Sequence, residues 1–291
     1  MKWILIISAS FSFLTGHAQV GSEIILFDLQ VKAHKVSVSN PKNITNHKGY
    51  DNQPYFHPDQ PLIYYTSFND SGRAEIKSYN FKKAETKLLT QTHEREYSPT
   101  LTPDGHYISC IIQRDNGAQD LGKYPTEGGA PLIIINNLTV GYHAWADNSH
   151  LALFVLGQAG SSNTLHFVRL PTRHDTVLAK NIGRSLHRVP HKAEISFVQK
   201  TSDTNWQIKK FNTLTKSISD VANTLPGRED LCWTPDEKIL MSDGTKLFWL
   251  DPAKGNTWTE VEIKSGIELL KGITRLSVNL AGDKLAVVVI E

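Results

Sequence analysis

The stretch "WTPDEKIL", Trp233 to Leu240, decides the fold, because a near copy, "LTPDGHYI", stands at Leu101 to Ile108. In both, a large apolar residue is followed by a Pro-Asp turn and a second apolar run. Proline presets φ and Asp or Gly tolerates the turn, so the phrase reads as the tip of a β-hairpin. Aligned on the large apolar residue, further copies appear: "FHPDQPLIYY" at Phe56, "WADNSHLALF" at Trp145, "VPHKAEISFV" at Val189 and "VNLAGDKLAV" at Val278. The steps between anchors are 45, 44, 44, 44 and 45 residues. Such regularity is the mark of a repeat architecture, even though the Val189 copy has lost most of its turn letters.

Behind most copies lies a second pair of strand-like runs, among them "EIKSYNF" with "ETKLLT", "TLHFVRL" with "HDTVLAK" and "KLFWLDP" with "WTEVEI". Four short strands in a unit of about 45 residues are the signature of a β-propeller blade, and no amphipathic helix of ordinary length interrupts them. The last copy stops at Glu291 after two strands, while "EIILFDLQ" and "HKVSVSNPKNIT" near the start resemble a third and fourth. The expectation is an all-β, six-bladed propeller in which N-terminal strands complete the C-terminal blade, Glu23 to Leu29 pairing with Leu285 to Ile290. Closure of this kind removes the unpaired sheet edge between first and last blades.

Residues 1–18, "MKWILIISASFSFLTGHA", combine Lys2, an apolar run from Trp3 to Leu14, and small residues at Gly16 and Ala18. That is the pattern of a secretory signal peptide, and residues 19–291 are then the exported propeller. The apolar run is too short for a permanent membrane anchor, no Cys follows it to take a lipid, and no later segment could span a bilayer. With 31 basic and 29 acidic residues in the chain and no basic block, nucleic acid is not an expected partner. Cys110 and Cys232 are the only thiols, and export invites a disulfide. Both sit within apolar runs, as buried small hydrophobes do, and the blade count puts them on opposite sides of the ring, too far apart to bridge.

Phrases such as "TPDGHYIS" and "AGDKLAVVV" give the sequence, from Glu23 to Glu291, a likeness to the TolB-like six-bladed propellers of bacterial periplasms, which it resembles in its Ser-Pro-Asp-Gly-type repeats. TolB itself carries an additional N-terminal domain and binds a peptidoglycan-associated lipoprotein; the additional domain is not expected here. The resemblance implies a monomeric, periplasmic propeller that acts by binding a protein or peptide of the cell envelope.

A propeller works at its channel mouth or on its loops. Residues two to five before each anchor fall where the innermost strand begins, and they supply a polar ring: Asp51, Glu96, Tyr142, His143, His187, Asp230 and Arg275. We take this ring as a candidate partner-binding surface at the channel mouth. His143 and His187 share one phase in adjacent blades, and with Asp230 they would permit either a divalent metal or two hydrogen-bonded histidines in a wet channel. A metal would open the alternative of an envelope lyase or hydrolase. There is no Gly-x-Ser-x-Gly elbow and no phosphate-binding glycine loop. The expectation is therefore a non-catalytic module without cofactor or metal. The Gly-rich segment Arg114 to Gly129 reads as a long loop, either for recognition or a variable connection.

Overall fold

The computed structural model describes residues 20–203 and 205–291. The segment read as a signal peptide lies outside the described residues. The chain opens with β1 (Ser22–Lys32) and β2 (Lys35–Asn43). Blade 1 follows as β3 (Asp51–Phe56), β4 (Leu62–Phe68), β5 (Ala74–Asn80) and β6 (Glu85–Leu88). Blade 2 is β7 (Arg95–Leu101), β8 (Tyr107–Gln113), β9 (Gln119–Pro125) and β10 (Leu132–Ile135). Blade 3 is β11 (Val140–Asp147), β12 (His150–Val155), β13 (Thr164–Arg169) and β14 (His174–Lys180). Blade 4 is β15 (Ile182–Arg188), β16 (Glu194–Lys200), β17 (Trp206–Asn212) and β18 (Ile218–Asn223). Blade 5 is β19 (Leu231–Trp233), β20 (Ile239–Ser242), β21 (Leu247–Leu250) and β22 (Thr259–Glu260).

The sixth sheet draws on both ends of the described chain. β24 (Arg275–Val278) and β25 (Lys284–Ile290) are continued by β1 and β2, and β23 (Glu262–Ile263) adds a short parallel edge on β2. β25 and β1 are antiparallel, with Ser22 opposite Ile290 and Asp28 opposite Lys284. The Lys284 ammonium donates to the Asp28 carboxylate beside this seam. Among the described residues no helix is long and apolar enough to cross a membrane.

Alternation explains why the strands read as unbroken apolar runs. A strand sends successive side chains to opposite faces of its sheet, and in a propeller each face meets another blade. In β1, Ile24 and Leu26 join Phe56, Ile63 and Tyr65 of blade 1. Ile25, Phe27 and Leu29 pack instead with Cys232, Leu240 and Trp249 of blade 5. β8 divides likewise, Cys110 and Ile112 facing blade 1 and Ile111 facing blade 3. The remaining two interfaces, between blades 3 and 4 and between blades 4 and 5, have their own clusters. The core is therefore a ring of six inter-blade layers.

Two anchors add a polar latch. The indole of Trp145 donates to Ser109 Oγ of the preceding blade at 2.9 Å, and that of Trp233 to Ser196 Oγ of its preceding blade at 2.8 Å. Cys110 and Cys232 are both free and buried, in blades 2 and 5, and burial pushes both thiols up. The Arg114 to Gly129 segment is not a long loop. It contains β9, whose pairing with β8 leaves only a tight turn before it, and Asp115 in that turn is held by Arg73 and Arg95. Two of its glycines, Gly117 and Gly128, have φ of 85° and 90°, which a side chain disfavours.

Candidate channel site

The innermost strand of each blade runs along the central channel. Counting back three from each anchor gives Gln53, Ser98, Tyr142, Leu186, Asp230 and Arg275, and all six line a cavity of about 770 Å³. Tyr55, Thr100, Ala144, Arg188 and Ser277, two positions further along, form much of the wall. The cavity extends to the hairpin turns at His57 to Gln60 and Thr102 to Gly105, where Pro58, Asp59, Gln60, Pro103 and Asp104 are exposed. Its mouth is therefore on the side of the Pro-Asp turns.

Bulges aim these side chains. The register of β3 shifts between Asn52 and Tyr55, and that of β7 between Tyr97 and Thr100. Gln53 and Ser98, inside the two bulges, take φ of 59° and 56°. An extra residue with left-handed backbone turns the strand locally, at a cost the surroundings must offset. Here Gln53 Oε1 accepts from Thr66 Oγ1 and from the Ser98 amide, both at 2.8 Å, tying the two bulges together.

Arg184, Asp230 and Arg275 form the floor, since they also line a smaller cavity of about 180 Å³ on the far side. Arg184 grips Asp230 with two bonds, Nε to Oδ1 at 3.2 Å and Nη2 to Oδ2 at 2.5 Å. Glu229 is placed between the Arg184 amide at 3.2 Å and the Lys200 ammonium at 3.0 Å. Arg275 starts in blade 6 and reaches blade 3, directly opposite: its Nη2 lies 3.3 Å from Tyr142 Oη, and its guanidinium carbon 5.2 Å from that ring's centre.

Of the residues taken from the sequence, Tyr142, His143, His187, Asp230 and Arg275 line this cavity, Asp230 and Arg275 at its floor. Asp51 and Glu96 do not belong to it. They stand five before their anchors, on the other side of the bulge, and are buried within blade interfaces. Glu96 accepts from Thr92 Oγ1 at 2.7 Å and Tyr124 Oη at 2.8 Å, with the buried Glu75 carboxylate beside it. Burial pushes its carboxyl up to about 7. Asp51 lies 3.4 Å from His47 Nδ1, and burial likewise pushes it up to about 6. The expectation of an exposed polar ring is thus corrected: its two carboxylates from blades 1 and 2 face protein. Gln53, Ser98, Leu186 and Arg184 were missed, although a strict count at one phase finds the first three.

The two histidines are engaged separately. His143 Nε2 lies 2.7 Å from Ser109 Oγ, which also receives the Trp145 indole and donates to the Thr100 carbonyl at 2.9 Å. His187 Nε2 lies 2.9 Å from Ser185 Oγ. Burial lowers His143 to about 3; burial, with Arg275 nearby, lowers His187 to about 4, so both imidazoles are neutral at pH 7. Among the described residues, no three His, Cys, Asp or Glu side chains come together so as to hold a metal ion. The donor set fits a hydrogen-bonded channel wall, not a metal centre.

No family model matches the sequence, and no curated protein is detectably similar to it. Solved structures are similar in fold. A protein assigned as a TolB from Agrobacterium tumefaciens superposes with a TM-score of 0.68 at 14% identity, over 94% of this chain and 99% of that one. TolB from Acinetobacter baumannii gives 0.57 at 13%, over 91% of this chain and 63% of that one. The fold is that of the TolB-like propellers. An oligogalacturonate lyase in complex with manganese shares it as well, with a TM-score of 0.60 at 12% identity over 94% and 98% of the two chains. The fold is thus shared by TolB proteins and by a lyase, and function has to be argued from the channel.

Proposed function

We propose that this protein is an exported, non-catalytic binding module of the bacterial cell envelope that holds a protein or peptide partner in and around its channel mouth. The observation that carries the reading is the cavity itself: about 770 Å³, open beside exposed turns, and built on a ring whose core is continuous. A rigid scaffold with a preformed concave site and variable rim loops is suited to recognition. Its most reactive-looking pair, Ser109 with His143, supports binding over catalysis. Ser109 is fully buried and its hydroxyl is committed to three neighbours, so an incoming carbonyl carbon has no path to it. The N-terminal signal pattern supports export to the periplasm.

The alternative is a metal-dependent envelope lyase or hydrolase, favoured by the fold shared with the manganese-bound lyase. Stoichiometric metal in the purified protein, lost on replacing His143 or His187, would decide for it. The direct test of the binding reading replaces the exposed mouth residues Gln60, Arg188 and Leu280 by Ala and compares capture of envelope proteins with that of wild type. Exposed positions shift stability by only about 0.5 kcal/mol each, so melting temperatures should match. Reduced capture at equal melting temperature is expected; unchanged affinity moves the binding surface off the channel.

A further inference from the structure

We propose that the channel floor binds a carboxylate carried by a peptide, either an acidic side chain or a free C terminus, with Arg275 as its counter-ion. The inference rests on the channel reading above and names the chemistry of its ligand. Arg275 is the unsatisfied cation of the floor. Among the described residues no carboxylate forms an ion pair with it, and its buried Nε has no hydrogen-bond partner. Its one polar contact is the long one to Tyr142 Oη. Asp230 makes no hydrogen bond to it; its two oxygens accept from Arg184 instead. Glu229 is matched by Lys200. The floor therefore holds two guanidiniums against one carboxylate, an excess of one positive charge.

A half-buried guanidinium with unused donors is costly, and a planar fork is suited to a carboxylate, with which it forms short charge-assisted bonds. The excess of one charge favours a monoanion over a phosphate dianion. The approach is open, since the cavity runs from the exposed turns down to Arg275, and its volume admits two or three residues of a peptide. Pro54, Pro99, Tyr55 and Leu186 give it apolar and aromatic wall that suits amino-acid side chains.

The probe is N-acetyl-phenylalanine, compared with its neutral amide, glucuronate and inorganic phosphate, each titrated by NMR while the Arg275 Nε–Hε signal is followed. The acid should move that signal saturably and bind at least tenfold more tightly than the amide, glucuronate or phosphate. Arg275→Gln should lose the binding at least tenfold. Equal binding of acid and amide, or an unmoved Arg275 signal, overturns the carboxylate site; the wild-type titration gives this answer even if the variant misfolds. Tighter binding of glucuronate or phosphate overturns the peptide source. Acid-selective binding together with unchanged partner capture by Arg275→Gln would leave the site standing and overturn the channel reading of function instead.

Discussion

Glu96 shows how a residue can be rightly noticed and wrongly placed. Polar letters before an apolar anchor point to a channel, but the bulge in β7 puts Glu96 on the blade interface and Ser98 on the cavity. A strand's face is legible from period two only while the period holds, and an inserted residue resets it. The burial has a consequence for pH. A carboxyl whose pKa is raised in the folded chain favours folding while protonated, and this contribution is lost as pH climbs from about 4.5 through about 7. Glu96→Gln, which sets a neutral amide against Glu75, should leave stability at pH 4.5 nearly unchanged and raise it by about 1 to 3 kcal/mol at pH 8. Urea melts at the two pH values measure it; a variant less stable than wild type at pH 8 would place Glu96 as a needed anion. Trp145 sits in the layer between blades 2 and 3 and ties Ser109 to it. Trp145→Ala should cost roughly 3 to 5 kcal/mol through the cavity left behind, and a loss below 1 kcal/mol would contradict its role as an inter-blade wedge.

At the scale of the element, the hairpin phrase was the most legible feature because turn chemistry is local: Thr102, Asp104 and the His106 amide close the "TPDG" turn among themselves. Where strand chemistry depends on neighbours, reading was poorer. "DLGKYPT" reads as a strand by its alternation and is β9, but the glycines of Arg114 to Gly129 read as a loop; Gly122 lies within that strand, where an added Cβ would crowd the Ile112 side chain. The channel floor was half legible. Tyr142, Asp230 and Arg275 lie at one phase, while Arg184 reaches the floor through the irregular register between Ile182 and Leu186. The strained bulge in β7 can be tested directly. Ser98 carries φ of 56°, and its own hydroxyl is buried without a partner, while its amide bond to Gln53 needs no side chain. Ser98→Gly should therefore raise stability by about 0.5 to 1 kcal/mol, and Ser98→Val should lower it, because a β-branched residue resists positive φ. If both substitutions act alike in denaturant melts, the bulge does not store strain.

For the whole molecule, the decisive feature is that the sixth blade is assembled from strands more than two hundred residues apart, so its stability depends on bringing them together. The two strands from the beginning of the chain bury Ile24, Ile25, Leu26, Phe27 and Leu29 from β1, and Val36 and Val38 from β2, in two inter-blade layers at once. At roughly 1.5 to 3 kcal/mol for each large apolar side chain, their joint burial contributes on the order of 10 to 20 kcal/mol. That matches or exceeds the whole net stability of a typical protein, about 5 to 15 kcal/mol. A chain lacking residues 19–47 should consequently show no cooperative thermal transition near that of the intact protein, and it should expose the edge of β25, a row of unpaired backbone groups that invites self-association. Adding a synthetic peptide of residues 20–47 should restore the transition in a concentration-dependent way, because the peptide binds only the folded ring. Circular dichroism melts with and without the peptide measure both effects. A truncated chain that melts like the intact one, or a peptide without effect on a truncated chain that stays soluble, would show that the blades are held independently and that the ring does not act as one cooperative unit.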